Sequence, residues 1–371
     1  MVSPGLDLFA VTFALFKVGA VPVMVDPGIG LANMKTCLAE SEPEAFIGVT
    51  RAQLARVLLG WARSTLRTIV SVGPWLPWAG PGLEQVRADG ASDEPYPMAP
   101  TAAEELAAIL FTSGSTGVPK GVMYRHGNFM AQVQAIRAVY DIRPGEVDLP
   151  TFPLFGLFDP ALGMTTVIPD MDPTRPARVD PRRVLPAMET FGVTNMFGSP
   201  ALLDTLGRYG EKHGTRIPTL KRVISAGAPV PLDVMERFLG MCGEGARVVT
   251  PYGATESLPV CSVGSDELLV DPQLRRRTET GEGVCVGRPL PEVELDVIAI
   301  TDDVVATWSE VQPVPQGQTG EIVVRSAMTT TGYHNRERST ALAKIQGPDG
   351  GIAHRMGDLG HLDEDGRLWF C

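Results

Sequence analysis

Cysteine is scarce in this chain: five are scattered over 371 residues (Cys37, Cys242, Cys261, Cys285, Cys371), and none forms a C-x-x-C pair. An odd number at such spacings disfavours both a disulfide framework and a zinc knuckle, and it points to a reducing cytoplasm. Basic charge is also short. The formal net charge is −11, and the one basic run, Arg275-Arg276-Arg277, is short enough to be a solvated loop. A surface of that sign repels phosphate backbones, so nucleic acid is not expected as a partner.

Long apolar runs are missing too. The stretch from Leu8 to Val25 is interrupted by Lys17, Gly19 and Pro22, and no basic region precedes it as in a signal peptide. It reads as a buried helix followed by a strand, so no transmembrane segment is expected. Three catalytic fingerprints are absent as well. No G-x-S-x-G elbow of the serine hydrolases occurs. Gly28-Ile29-Gly30 follows a predicted strand, but Asn33 stands where a dinucleotide fold needs its third glycine. Nor is there a Gly-Lys-Ser/Thr run of the Walker type.

What is present is a 44% apolar chain, long enough to exceed a single hydrophobic core. Leu6 to Lys17 predicts a helix, and Ala20 to Val25 predicts the strand that follows it. The alternation continues with predicted strands at Ala45–Val49, Thr68–Val72, Val193–Phe197 and Arg222–Ala226, each near a helical pattern. Strands alternating with helices predict an α/β fold with layered, parallel sheets. Residues 73–100, rich in Pro, Gly and Trp, read as a long surface connection. Past about residue 265 the texture turns to short strands, among them Val293–Ile298 and Gly320–Arg325, between Pro- and Gly-rich turns. The expected division is a two-subdomain core over 1–265 and a small β-rich subdomain over 266–371.

The strongest local signal is Leu110-Phe111-Thr112-Ser113-Gly114-Ser115-Thr116-Gly117-Val118-Pro119-Lys120-Gly121. An apolar strand delivers a loop of hydroxyls and glycines that ends in a lysine. Glycine lets backbone N–H groups approach an anion, hydroxyls add donors and the lysine adds a point charge. A triphosphate suits such a loop, with Ser115, Thr116 and Lys120 on its β- and γ-phosphates.

With that loop, the chain resembles the acyl-adenylate-forming superfamily of acyl-CoA synthetases, luciferases and peptide-synthetase adenylation domains over essentially its whole length. Val21-Pro22-Val23-Met24-Val25-Asp26-Pro27, Ala226-Gly227-Ala228-Pro229, Tyr252-Gly253-Ala254-Thr255-Glu256 and Met356-Gly357-Asp358-Leu359-Gly360 look like further signatures in the same order. One such residue alone would mean little, since a loop carboxylate is ordinarily solvated and a tyrosine ordinarily packs. Their joint order is what distinguishes them. The resemblance implies ATP and Mg²⁺ as cofactors, with the nucleotide in a crevice among the subdomains. Thr112, Ser113, Gly114 and Gly117 would complete the phosphate loop. Gly227, Ala228 and Pro229 would lie against the adenine, with Tyr252 stacked on its other face and Gly253 beside it. Thr255 would donate to the α-phosphate, Glu256 would hold the metal, and Asp358 would accept from ribose hydroxyls. Lys120, Thr255 and Glu256 are the catalytic candidates.

Two departures refine that reading. Members of the superfamily continue past Leu368-Trp369-Phe370 into a hinge and a lysine-bearing C-terminal lid domain, and they begin before Met1, so both ends look like those of a fragment. Within Pro153-Leu154-Phe155-Gly156-Leu157-Phe158-Asp159-Pro160, Gly156 stands where many acyl-CoA synthetases place a histidine against the substrate carboxylate. That segment, with Ile168 to Pro176 and His354 to Asp358, is most similar to the olefin β-lactone synthetases of bacterial long-chain hydrocarbon synthesis. The similarity implies a 2-alkyl-3-hydroxy fatty acid as substrate, a β-lactone as product and other hydrocarbon-biosynthesis enzymes as partners. Phe155, Gly156, Phe158 and Phe197 are candidates for the acyl pocket. A fatty acyl-CoA ligase, a fatty acyl-AMP ligase and a degenerate nucleotide-binding module are the alternatives.

Overall fold

A computed structural model of the chain describes residues 1–74, 76–112 and 118–371. These divide into two compact units, 1–127 with 331–340, and 128–330 with 341–371. Both units are mixed α/β.

In the first unit the helix Leu6–Lys17 ends at Gly19, and the chain turns into the strand Val23–Met24. That strand is shorter than the expected run from Ala20. It pairs in parallel with Leu106–Phe111, which in turn runs antiparallel to Gly121–Arg125. A separate parallel pair, Ala45–Val49 and Thr68–Val72, flanks the helix Thr50–Leu59 as the alternation predicts. Trp61, Met34, Leu38, Phe46 and Ala52 form the core beneath it. Residues 73–100 are not wholly irregular, because Leu83–Asp89 is an exposed helix of seven residues. Its Leu-Glu-Gln-Val-Arg-Ala run consists mostly of strong helix formers, a local preference masked in sequence by the flanking Pro and Gly.

The second unit is organised on one long sheet. In spatial order its strands are Glu294–Ile298, Gly320–Arg325, Ile352–Leu362, Leu368–Phe370, Val284–Pro289, Ser257–Gly264, Arg247–Ala254, Arg222–Ile224, Asn195–Phe197, Val147–Pro150 and Thr165–Thr166. Lys344–Gln346 adds to the outer side of Ile352–Leu362. The end from Arg247–Ala254 to Thr165–Thr166 is parallel, whereas Ser257–Gly264 and the strands beyond it are antiparallel. The β-rich segment after residue 265 therefore continues the sheet laid down before it.

Helices start where short polar side chains can accept from the first exposed N–H groups. Asp180, Ser199 and Asp271 each cap a helix with proline at its first position, over Pro181–Thr190, Pro200–His213 and Pro272–Thr280. Those helices, with Leu232–Leu239, cover the sheet through Val184, Met188, Leu202, Leu206, Phe238 and Leu274, in one cluster with Met196 of the strand Asn195–Phe197. No helix among the described residues is long and apolar enough to cross a membrane.

Candidate functional site

The first unit holds the base of the phosphate loop. Leu110 faces Val122 and Phe111 faces Gly121, so the two strands bring the ends of the loop together. The Thr112 N–H donates to the Lys120 carbonyl at 3.1 Å, and the Lys120 N–H returns a bond to Thr112 Oγ1 at 3.4 Å. Ser113, Gly114, Ser115, Thr116 and Gly117 lie outside the described residues. The Lys120 ammonium stands 5.0 Å from the ring centre of Tyr333, a cation–π contact. Tyr333 is buried, and its segment is fixed to the hairpin by His334 N–H donating to Gly121 O at 2.8 Å. The sequence reading missed Tyr333; its position after Gly332, far along the chain, gives no local sign of a lysine partner.

The second unit holds the remaining candidates. The strand Arg222–Ile224 runs into Gly227, Ala228 and Pro229, all exposed, and Gly227 has φ +93°, in the left-handed region that favours glycine. Flat backbone without bulky side chains is what an aromatic base can lie against. Next to it in the sheet, Arg247–Ala254 carries Tyr252 and the exposed Gly253 at its end and turns through Thr255 and Glu256 into Ser257–Gly264.

Tyr252 Oη donates to Asp358 Oδ2 at 2.8 Å. Asp358 reaches that position because Gly357 turns the strand Ile352–Leu362 with φ +70°. Burial raises the Asp358 carboxyl above its ordinary range; the Tyr252 hydroxyl opposes that shift and the Glu256 charge adds to it. Burial, then the Asp358 charge, pushes the Tyr252 phenol strongly upward, so it stays a neutral donor. The two expected nucleotide contacts thus hold each other in place.

Glu256 is 9% exposed. Its carbonyl accepts from Thr330 N–H at 2.9 Å and from Thr330 Oγ1 at 3.1 Å, while the neighbouring Ser257 hydroxyl meets Thr329 Oγ1 at 3.1 Å. Behind Thr330 lies Lys344, whose Nζ donates to Thr330 Oγ1 at 3.3 Å. Burial lowers the Lys344 amine to about 7, against the Glu256 charge, which raises it. Neither Lys344 nor Thr330 carries a local motif. The run Thr329-Thr330-Thr331 is the one trace in the sequence that could have drawn attention.

The acyl-pocket candidates separate. Phe155 opens a short 3₁₀ helix, Phe155–Phe158, and stacks on Phe197 with ring centres 4.1 Å apart; Phe152 joins from 5.5 Å. Gly156 is buried. Phe158 faces elsewhere, edge-on to Phe129 at 6.3 Å and against the cluster of Tyr140, Ile142, Leu162, Met164 and Val249. The structure therefore brings Phe155 to Phe197 and leaves Phe158 in core packing.

A pair of acids brackets the segment Phe155–Phe158 in the chain. Asp148 and Asp159 are 3% and 2% exposed. Asn195 Nδ2 donates to Asp148 Oδ1, and Thr166 Oγ1 donates to Asp159 Oδ2 at 2.7 Å. Burial is the main cause that pushes Asp159 up to about 7 and Asp148 well above its ordinary range, with the Asp159 charge adding to the latter. The Asp159 charge makes Asp148 costly to ionise beside it.

As for a metal, no group of three or more His, Cys, Asp or Glu among the described residues could hold one. A single carboxylate at Glu256 beside the Thr255 hydroxyl is a hard-oxygen set. It suits Mg²⁺, which keeps its waters and is commonly held by one or two carboxylates together with substrate phosphates.

The family of AMP-binding enzymes matches residues 1–334. Over 375 aligned positions the chain is 51% identical to the olefin β-lactone synthetase of Xanthomonas campestris pv. campestris, and equally to that of Stenotrophomonas maltophilia. Each alignment covers all of this chain and 66% of the relative, so the chain spans just under two thirds of their length. Among solved structures, the amide bond synthetase of Marinactinospora thermotolerans superposes with a TM-score of 0.79 at 24% identity, covering all of this chain and 68% of that one. That likeness is one of fold.

Proposed function

The chain belongs to the family of AMP-binding enzymes, and from that premise we propose that it activates a long-chain 2-alkyl-3-hydroxy fatty acid with ATP and closes it to a β-lactone. The observation that carries this reading is the 51% identity to two olefin β-lactone synthetases over the full chain. Gly156, in place of a carboxylate-facing histidine, agrees with it.

In the first step a carboxylate oxygen attacks the α-phosphorus and the bond to pyrophosphate breaks. Little covalent work falls to the protein; positioning and charge neutralisation supply the catalysis. Lys120 and the loop hydroxyls hold the β- and γ-phosphates. Tyr252, Gly227 and Ala228 hold the base, and Asp358, kept in place by the Tyr252 hydroxyl, accepts from the ribose. Thr255 donates to the α-phosphate. Glu256 would hold Mg²⁺, which when bound neutralises charge on the departing pyrophosphate.

In the second step the substrate's own 3-hydroxyl oxygen attacks the acyl carbonyl, the carbon–oxygen bond to phosphate breaks, and AMP leaves with the electron pair while the hydroxyl proton passes to the departing phosphate. Holding that hydroxyl against the carbonyl contributes on the order of 7–11 kcal/mol, which offsets ring strain. The stacked wall of Phe155 and Phe197 is assigned to the acyl chain, where it excludes the water that would hydrolyse the adenylate.

The test of the first step is exchange of labelled pyrophosphate into ATP by the full-length protein. Exchange that depends on a 2-alkyl-3-hydroxy acid supports the reading, and exchange absent with every fatty acid tried, at saturating Mg²⁺, contradicts it.

A further inference from the structure

Lys344 is 7% exposed, and lysines are almost never so buried without a reason in their surroundings. Its backbone is fixed by pairing: Lys344 faces His354 and Ile345 faces Ala353 on the strand that also carries Asp358. From that position Nζ reaches Thr330 Oγ1 at 3.3 Å. A threonine hydroxyl has one hydrogen, and here it goes to the Glu256 carbonyl at 3.1 Å, the oxygen that the Thr330 N–H also meets at 2.9 Å. A carbonyl can only accept, so the order of donation is set: lysine to threonine to Glu256. The segment behind this relay is itself anchored, since Asn128 Nδ2 donates to the carbonyls of Ala327 at 3.0 Å and Thr329 at 3.3 Å.

We propose that Lys344 is a positioning residue of the nucleotide site: through Thr330 it fixes the carbonyl of Glu256, and with it the turn from which the Thr255 and Glu256 side chains project. The functional part of this claim rests on the reading that Thr255 and Glu256 serve the α-phosphate and the metal. The geometric part does not. The relay works for a lysine with any N–H to give, and it explains why a residue so costly to bury opens a strand whose other side chains carry no chemistry. Small displacements of reacting groups are expensive, on the order of a hundredfold in rate for about 1 Å.

The experiment uses the full-length protein and the variants Lys344→Met, Thr330→Val, Thr330→Ser, the double variant Lys344→Met/Thr330→Val, and Glu256→Gln. Two quantities are read: amide hydrogen exchange of the peptide spanning 252–258 without nucleotide, and kcat and KM for ATP in pyrophosphate exchange. Lys344→Met and Thr330→Val should each speed exchange in that peptide and lower kcat on the order of tenfold or more, with little change in KM. The double variant should be no worse than either single one, because both break the same relay. Thr330→Ser keeps the hydroxyl and should behave as the parent. Should Lys344→Met fail to fold, the contrast between Thr330→Val, which keeps the shape and loses the hydroxyl, and Thr330→Ser, which keeps the hydroxyl and loses a methyl, decides the matter. Parental hydrogen exchange at 252–258 in folded Lys344→Met, or equal behaviour of the two Thr330 variants, overturns the proposal. Glu256→Gln separates the two layers. Parental turnover there, with a loosened turn in Lys344→Met, sinks the metal assignment and leaves the positioning role. Lost turnover there, with an unchanged turn in Lys344→Met, does the opposite.

Discussion

Two pairs of acids in the second unit, one only half-buried at Asp358, have the same side-chain chemistry and opposite neighbours. Glu256 and Asp358 stand at the end of the strand Arg247–Ala254 and on Ile352–Leu362; a lysine lies beside the first, and a phenol donates to the second. Asp148, within the strand Val147–Pro150, and Asp159, at the start of the helical turn Asp159–Leu162, take neutral donors, Asn195 and Thr166, and Asp148 also feels the Asp159 charge. A carboxylate given a hydroxyl donor is held in place and keeps its remaining oxygen for a ligand. A carboxylate given another carboxylate keeps a proton instead, and becomes a lock. Asp159 directly follows Phe155–Phe158, so this lock sits at the end of the 3₁₀ helix that carries Phe155, while the other pair is the one proposed for the nucleotide and the metal.

If that contrast is right, neutralising one member of each pair has different consequences. Glu256→Gln should leave nucleotide binding near the parent and lower Mg²⁺-dependent adenylation by roughly 10²–10³, the size typical of losing one charge-stabilising group. Pyrophosphate exchange at matched Mg²⁺ measures it, and parental rates in the variant remove Glu256 as the metal ligand. The first unit provides a control of another kind. Lys120→Ala should weaken ATP binding about 10–100-fold, the worth of a charge-assisted hydrogen bond, with the fold intact. Unchanged affinity by calorimetry contradicts that assignment.

For the lock, the effect lies in stability and in pH. The folded state raises the Asp159 carboxyl from 3.8 to about 7. A raised carboxyl binds its proton more tightly folded than unfolded, so its contribution is complete below about 4 and is lost as the pH climbs through about 7. The parent should therefore lose several degrees of melting temperature between pH 5 and pH 8, and Asp159→Asn should flatten that slope. A parental slope in Asp159→Asn shows that Asp159 is not the group that holds the proton. The smallest effect is expected from Tyr252→Phe. It removes one hydrogen bond to Asp358, about 1 kcal/mol, and should weaken nucleotide binding only severalfold.

These pairs also mark how far the sequence can be read. The hairpin that closes at Thr112 and Lys120, and the strand that delivers Tyr252 and Glu256, were legible because an apolar run, a turn and a polar signature follow one another locally. The strand after Gly19 was also legible in kind, though pairing with Leu106–Phe111 engages only Val23 and Met24. What the sequence hid is long-range polar contact. Thr330 and Glu256, Tyr333 and Lys120, and Asn195 and Asp148 each meet across many residues, and no period or spacing announces that a buried polar group has found its partner. The wall was half legible: Phe155 and Phe197 stack, but Phe158, equally aromatic in sequence, is turned toward Phe129 by the 3₁₀ helix.

The central claim is that activation leads to ring closure. Full-length protein is supplied with ATP, Mg²⁺ and a 2-alkyl-3-hydroxy fatty acid, with and without CoA, and the products are identified by mass spectrometry. The account predicts a β-lactone, AMP and pyrophosphate in both tubes, in equal yield whether or not CoA is present. An acyl-CoA formed only when CoA is added, with no lactone in either tube, would contradict it.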